Sequence, residues 1–388
     1  QFVHLWVCDQ TEKSNDTFED YGLFTQVEQL NKTALKAHGL DKSGHLYKVN
    51  SFDFHRYEDT IKLADDPGYN QANFEGMLEI KGDTDHTKLI EMLDALNDES
   101  QKIDDVLDTH FDSENLVYWL AFQILTGNCD TQNRNCYLYS PLNSKVWYIL
   151  DWDNDGMLRK LELSLTGFSD YASWERGVSN YWGNVLFNRA LRSKSFRSEL
   201  DRAVKDLRSY LTETRLAKMI KHYREVTESM VFASPDIDNL PVTKDQYEQI
   251  AAAIPAEIEE NYKIYRESFK KPMPFYIGVP QIDNGKLRIN WDASYDFKAR
   301  DIRYTVELAR DYAISDVVFK AEDVLLPEVT CDAPDAGQYF VRVRATNSDD
   351  FTQDAFDYYV TDDGKQYGMK CFYVQDGGKV VEDTYEEG

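Results

Sequence analysis

Residues 111–156, FDSENLVYWLAFQILTGNCDTQNRNCYLYSPLNSKVWYILDWDNDG, carry the strongest indication of fold and function in this sequence. Apolar residues at helical spacing predict a helix that begins after a capping residue at Asp112 or Ser113 and ends at Gly127. A polar loop, residues 129–135, follows this helix. Short apolar runs on both sides of the turn at 141–144 then predict a β-hairpin. The hairpin leads into the acidic segment 151–156.

The spacing of the polar residues in this stretch indicates metal-assisted phosphoryl transfer. Protein kinases place a loop Asp beside the substrate hydroxyl, an Asn five residues later on Mg²⁺, and a second Asp on Mg²⁺ after a hairpin. Such chemistry depends on positioning and charge neutralisation, so oxygen ligands must converge beside the group that orients the nucleophile. We therefore predict Asp130 and Asn135 as catalytic residues, and Asn135, Asp151 and Asp153 as metal ligands.

The acidic segment also fits a second pattern, that of an EF-hand calcium loop. Asp151, Asp153, Asp155, Gly156 and Glu162 stand at the required spacing. However, an EF-hand loop follows a helix, whereas residues 146–150 are predicted to form a strand. A Ca²⁺ or Mg²⁺ site of another kind and a solvated acidic turn without a ligand both remain open.

Composition and charge narrow the class of protein. With 388 residues, of which 42% are hydrophobic, the chain is long enough for two or three domains. Its 43 basic and 69 acidic residues give a net charge of −26, which argues against nonspecific binding to nucleic acid or anionic lipid. No apolar run approaches the ~18–20 residues that a transmembrane helix requires.

The five cysteines are an odd number and include no Cys-x-x-Cys pair. This pattern excludes a zinc ribbon and a small disulfide scaffold. Buried or free thiols are the ordinary interpretation of these cysteines. Because Cys129 and Cys136 bracket the polar loop, a disulfide between them that would pin the loop is a second hypothesis.

The periodicity of apolar residues changes between Lys271 and Pro272, which predicts two domains, 1–271 and 272–388. Apolar residues at helical spacing occur before this boundary at 34–40, 89–107, 116–125, 185–211, 216–231 and 247–269. Alternating residues after it predict strands at 286–291, 304–308, 339–345 and 367–374. The last acidic residues are predicted to form a tail.

The second domain resembles a fibronectin type III or immunoglobulin-like β-sandwich over about 275–360. Trp291 on an early strand and Tyr339 at the start of a late one carry this resemblance. No catalytic grouping is present in this domain, so we expect a spacer or interaction module.

The first domain resembles the spore coat protein H (CotH) family of atypical secreted kinases. The resemblance covers about 1–230 and rests on the segments 21–28, 44–48, 120–130, 135–139, 147–153, 186–189 and 195–197. It implies a divergent protein-kinase-like domain with a mainly helical C-lobe and a partial N-lobe, so the fold class is α+β followed by an all-β sandwich. It also implies transfer of phosphate from ATP to a protein hydroxyl with Mg²⁺ or Mn²⁺, Ca²⁺ being the alternative cation. Asp130, Asn135, Asp151 and Asp153 are then the active-site residues, with base and chelator unassigned among the aspartates.

Two departures from the family pattern bear on activity. Arg134 stands where many members have a histidine. The arginine-glycine motif and the lysine-bearing strands that contact ATP phosphates are not found, so we expect the chain to begin inside the small lobe. Lys48 follows Glu28, the reverse of the usual kinase order, and is interpreted as a strand lysine with a solvated head. Kinase activity therefore depends on an N-terminal lobe in the full-length protein.

The alternative function is a surface adhesion or binding protein on a catalytically degenerate kinase-like scaffold with a structural divalent cation. The family resemblance implies a secreted, periplasmic or cell-surface location, with a lipoprotein as one form of it. The partner would be a protein substrate or a surface ligand, and no nucleic acid is expected.

Overall fold

A computed structural model of the chain describes residues 1–9, 11, 17–167, 171–362 and 364–383. The chain forms two compact units: Gln1–Asp170 with Ser193–Tyr262, and Tyr171–Arg192 with Lys263–Gly388. The domain boundary at Lys271 and Pro272 stays a prediction. The predicted acidic tail at 384–388 lies outside the described residues. None of the helices in the described ranges is long and apolar enough to cross a membrane.

Helices dominate the first part of the chain and strands the last part. The helices are α1 Lys32–Ala37, α2 Gln71–Met77, α3 Thr87–Asn97, α4 Ile103–His110, α5 Ser113–Thr126, α6 Lys160–Thr166, α7 Val185–Arg192, α8 Lys194–Tyr210, α9 Glu213–Val231, α10 Asp236–Asn239 and α11 Lys244–Ser268. The early strands are β1 Phe2–Val7, β2 Glu19–Thr25, β3 His45–Val49, β4 Leu78–Ile80, β5 Cys136–Ser140 and β6 Tyr148–Asp151. The later strands are β7 Gln281–Asp283, β8 Lys286–Asn290, β9 Ile302–Ala309, β10 Val317–Val324, β11 Glu328–Asp332, β12 Gly337–Asn347, β13 Thr352–Asp354, β14 Tyr358–Thr361, β15 Gly364–Tyr367, β16 Met369–Val374 and β17 Val380–Glu382.

An antiparallel sheet of order β4-β3-β5-β6 organises the first unit around the predicted hairpin. The hairpin is confirmed, because β5 and β6 pair from Cys136 opposite Asp151 to Tyr139 opposite Tyr148. One face of this sheet packs Leu46 and Tyr137 against Leu35 of α1. Since side chains alternate between faces, this packing fixes the register and therefore the end of β6.

Helix α5 runs where the sequence predicts it. The Asp112 carboxylate accepts the N–H of Asn115 at the start of the helix, and Gly127 ends it with a left-handed φ of 65°. Glycine adopts this conformation without the steric cost of a Cβ. Most side chains of α5 are buried, so both of its ends are firmly placed.

Two predicted helices are each divided. The span 89–107 forms α3 and α4, because the polar run 98–102 has no apolar side chain to bury. The span 185–211 forms α7 and α8, since Ser193 adopts an extended conformation and caps α8 by accepting the N–H of Phe196.

Two sheets of the second unit share one apolar core, and β14 pairs with β15 in a separate two-stranded sheet. One sheet has the order β11-β8-β7, and the other has the order β10-β9-β12-β16-β17 with β13 paired to β12. Leu287 and Ile289 of the first sheet pack with Val306, Val341 and Phe372 of the second. Strands β8, β9, β12 and β16 coincide with the predicted ones, as alternating apolar residues at this length require.

Candidate active site

Asp130 and Asn135 are brought together by the polar loop after α5. The Asn135 amide Nδ2 donates to the Asp130 carboxylate at 2.8 Å and to its backbone carbonyl at 3.1 Å. Asn135 has a positive φ of 58°, a conformation that asparagine tolerates better than most residues. Arg134 also approaches the Asp130 carboxylate at 3.7 Å, with both side chains more than half exposed. Because Nδ2 of Asn135 faces Asp130, its amide oxygen points elsewhere and can serve as a cation ligand.

A network of neutral amides connects Asp151 to this loop. Gln123 of α5 donates to the Asp151 carboxylate at 2.9 Å and to Asn154 Oδ1 at 3.2 Å. Asn128 donates to Gln123 Oε1 at 3.0 Å, and its own Oδ1 accepts the backbone N–H of Asp130 at 3.3 Å. Gln123 is fully buried and Asn128 is 2% exposed. Because buried amides require partners, the end of α5, the loop and the acidic turn are held as one arrangement.

The acidic turn folds back onto the end of α5. Leu158 donates its N–H to the Thr126 carbonyl at 2.8 Å. Asp153 and Leu158 have positive φ values of 54° and 57°. Gly156 lies so close to the loop that a Cβ there would stand 2.6 Å from Asn128 Oδ1 and 3.5 Å from the Asp130 Cβ. Strained non-glycine residues of this kind concentrate at functional sites.

Hydrogen bonds connect three of the four predicted site residues, and the fourth, Asp153, stands apart. Asp130 and Asn135 are hydrogen-bonded, and Asp151 joins them through Gln123 and Asn128. Asp153 is exposed, and no hydrogen bond or ion pair among the described residues ties its carboxylate to the other three. Although Asp151 is exposed at the strand end, loss of hydration around its carboxylate raises its pKa, and the bond from Gln123 opposes this effect.

The donor set suits a hard divalent cation, since it offers two carboxylates and one amide oxygen. Over the described ranges no group of three or more His, Cys, Asp or Glu side chains is placed to hold a metal ion. Mg²⁺ is often held by one or two carboxylates together with substrate phosphates. These side chains therefore do not form a closed metal site by themselves among the described residues.

The EF-hand alternative and the hypothesis of a Cys129–Cys136 disulfide are both wrong. Asp151 ends strand β6, so no helix leads into the acidic segment. Cys129 and Cys136 do not form a disulfide. Cys136 is buried on β5 opposite Asp151, and its burial raises the pKa of the thiol. The amide network holds the loop in place of a covalent link.

Lys48 lies on β3, over the Trp152 ring at 5.6 Å from its centroid. It pairs with Tyr137 of β5, on the sheet face away from the Cys136 and Asp151 side chains. This position agrees with a strand lysine and gives no support for a phosphate contact.

Gln123 and Asn128 were not predicted from the sequence. Gln123 stands within the apolar stripe of α5, and a polar residue on a buried helix face is the one signal that could have indicated it. Asn128 follows the helix-ending glycine, where polar residues are common and indicate no particular role.

Comparison with known proteins gives one broad match. The model of the CotH family, described as "CotH kinase protein", matches residues 1–265. No curated protein matches the chain. One matching solved structure is the "Twitchin kinase region from C.elegans (Fn31-NL-kin-CRD-Ig26)", which is 18% identical over 24% of this chain and 20% of that chain, with a TM-score of 0.19. This chain thus spans about a fifth of that structure, and a likeness at that TM-score carries no argument about fold.

Proposed function

Because the chain belongs to the CotH kinase protein family, we propose that it transfers phosphate from ATP to a hydroxyl group of a protein. The observation that carries this proposal is the Asp130–Asn135 pair, joined by buried amides to Asp151 at the end of the hairpin. Phosphoryl transfer requires this kind of fixed oxygen arrangement, because most of the catalysis is positioning and electrostatic stabilisation.

Each residue has a distinct proposed role. Asp130, exposed beside the loop, orients the acceptor hydroxyl and accepts its proton. Asn135, Asp151 and Asp153 would hold Mg²⁺ or Mn²⁺, which when bound neutralises charge on the ATP phosphates. Gln123 and Asn128 are positioning residues, because they hold Asp151 and the loop without offering charge of their own.

Autophosphorylation with labelled ATP and Mg²⁺ tests the proposal. Asp130→Asn is expected to reduce phosphate incorporation at least about a hundredfold, the usual contribution of a positioned acid or base. Asp153→Ala is expected to reduce it by a similar factor, about a hundredfold, because it removes a proposed ligand of the charge-neutralising cation. Asp59→Asn, an exposed aspartate outside the site, is the matched control and should retain full incorporation. Equal activity in all three variants would contradict the assignment.

Thermal shift separates the proposal from the alternative of a binding protein on a degenerate scaffold. Stabilisation by ATP together with Mg²⁺, but not by Mg²⁺ or Ca²⁺ alone, supports a nucleotide site, because ligands stabilise the state that binds them. Stabilisation by a cation alone supports a structural ion and a role in surface binding.

For the second unit, we propose a fibronectin type III or immunoglobulin-like sandwich. The pairing of β7-β8-β11 in one sheet and β10-β9-β12-β16 in the other is compatible with a seven-stranded Greek-key sandwich. The Tyr339 hydroxyl donates to the Asp335 carbonyl at 3.0 Å, the bond expected of a tyrosine corner. A spacer or interaction module of a secreted or cell-surface protein is the role that we assign to it.

A further inference from the structure

Lys370 occupies an unusual position in the second unit, on the core side of its larger sheet. It pairs with Val341 across β12 and β16, in the register that also pairs Tyr339 with Phe372. Paired and alternate residues share a face, and Val341 and Phe372 belong to the apolar core. The Lys370 side chain is only 15% exposed. A lysine seldom lies there, because its ammonium group loses hydration.

Two carboxylates meet the Lys370 ammonium group. Its Nζ lies 3.0 Å from Asp357 Oδ1 and 2.5 Å from Glu382 Oε1. Asp357 is itself only 10% exposed. The other oxygen of Asp357 accepts the backbone N–H of Ile277 at 2.7 Å, and the Asp357 carbonyl accepts the N–H groups of Gly368 and Met369. These backbone hydrogen bonds fix Asp357, and strand pairing fixes Lys370, so the carboxyl group and the lysine nitrogen are held next to each other.

We propose that Lys370 and Asp357 condense into an intramolecular amide bond, with Glu382 as the group that moves the proton. The inference is independent of the phosphotransfer proposal. The reacting groups are a carboxylic acid and an amine held in contact in a poorly hydrated site, where proximity replaces the entropy cost of bringing them together.

The reaction is balanced without any outside reagent. Glu382 accepts a proton from the Lys370 ammonium and passes it to the Asp357 carboxylate, so that the neutral Nζ can attack Cγ of a protonated carboxyl group. The nitrogen of the tetrahedral adduct then gives a second proton to Glu382. The C–OH bond breaks as Glu382 returns this proton to the departing hydroxyl, which leaves as water, and Glu382 ends ionised as it began. No oxidation or reduction occurs.

The electrostatics of the group agree with this order of events. Loss of hydration raises the pKa of Asp357, which favours its protonated form. Desolvation works against the charge on Lys370, but Asp357 and Glu382 outweigh it and raise the pKa of the lysine. The resting state is thus an ion pair, and the proton transfer to Glu382 is the required first step.

A hydrated pair in the same unit provides a matched comparison. Lys286 Nζ lies 2.6 Å from Asp332 Oδ1, but these side chains are 58% and 90% exposed. Water solvates both ions there and hydrolysis competes with condensation, so this pair should stay an ordinary ion pair.

Mass spectrometry of the full chain, purified and unfolded, tests the proposal. Condensation lowers the mass by about 18 Da, the mass of one water, as a covalent modification of the chain. Because other dehydrations give similar losses, the decisive result is a tryptic peptide in which residues 345–365, which contain Asp357, are joined to residues 366–379 with Lys370 uncut. Peptides containing Lys286 and Asp332 should be unlinked in the same digest.

Variants report on each reacting group. Lys370→Arg and Asp357→Ala should give no linked peptide, and Asp357→Asn should give the same link with loss of about 17 Da as ammonia. Glu382→Gln should slow formation at least about tenfold, as loss of a proton-transfer group does. A wild-type digest that yields residues 345–365 and 366–370 as free peptides overturns the proposal, whatever the variants do.

Discussion

Replacing Gln123 with leucine tests whether the buried amide network holds the candidate site together. Gln123 is fully buried and bonds Asp151, Asn154 and Asn128 at 2.9, 3.2 and 3.0 Å. Leucine has a similar size and forms none of these bonds. The substitution therefore removes the connection between α5, the loop and the acidic turn while it leaves little empty volume.

The expected loss of stability in Gln123→Leu follows from the three hydrogen bonds that the substitution removes. A hydrogen bond to a charged group contributes about 1.5–3 kcal/mol net, and a neutral one about 0.5–1.5 kcal/mol. Burial of the leucine side chain returns about 1–2 kcal/mol. The free energy of unfolding should fall by about 3 kcal/mol, since the loss of three bonds exceeds this gain. At ~2–4 °C per kcal/mol for a unit of this size, the melting temperature falls by roughly 6–12 °C.

Differential scanning calorimetry measures this shift, and Gln71→Leu is the control. Gln71 is exposed on α2 and donates to Glu75 on the same helix, so its loss should change stability by less than about 0.5 kcal/mol. The double variant Gln123→Leu, Asn154→Ala should destabilise less than the sum of its parts, because the two residues share a bond. If Gln123→Leu and Gln71→Leu shift the transition equally, the amide network does not hold the site.

Three further results are expected. Gly156→Ala should lower the melting temperature and the affinity for ATP with Mg²⁺, because its Cβ would stand 2.6 Å from Asn128 Oδ1. Gly76→Ala, with no atom within 4 Å of its Cβ, should leave the affinity unchanged and should not lower the melting temperature in the same titrations and calorimetry, since alanine is favoured over glycine in a helix. Loss of hydration lowers the pKa of buried His45, His86 and His110, so the unfolded chain binds protons that the folded one does not. Urea unfolding should then show full stability above about pH 6.5 and a decline below it; His86→Phe should flatten this decline and exposed His222→Gln should not. Asp296→Ala should cost about 1.5–3 kcal/mol in urea unfolding, because it removes the buried carboxylate partner of Arg300 and leaves its pair with the exposed Asp349. Asp332→Ala, which removes an exposed pair, should cost less than about 1 kcal/mol.

Local sequence patterns were sufficient to predict helix α5 and the β5–β6 hairpin. The helix has a capping aspartate at one end and a glycine at the other, and it buries most of the side chains between them. The hairpin has two short apolar runs separated by a proline turn. Such features depend on residues close in sequence, and the structure follows them. The roles of Asp130, Asn135, Asp151 and Asp153 in catalysis stay predictions.

The helix breaks and the buried amide network could not be predicted from the sequence, because they depend on contacts between residues that are distant in the chain. The breaks at 98–102 and at Ser193 separate α3 from α4 and α7 from α8. Apolar residues continue at helical spacing on both sides of each break, so periodicity alone predicts one helix where the structure has two. The bond from Gln123 to Asp151 spans 28 residues. No spacing rule distinguishes a glutamine that will be buried beside a carboxylate from one that will be exposed on the helix.

The neutral character of the network has a consequence for how the site could bind a triphosphate. An arginine or lysine in place of Gln123 would pair with Asp151 and compete with a cation for the same oxygens, since opposite charges in contact favour each other strongly at low dielectric. An amide fixes one oxygen of the carboxylate through Nε2 and leaves the negative charge uncompensated. Asn135 also donates to the Asp130 carboxylate, but there a cation, Arg134, lies 3.7 Å away as well. Asp151 is thus the aspartate of the site that an uncharged donor orients without competing for the cation that we propose.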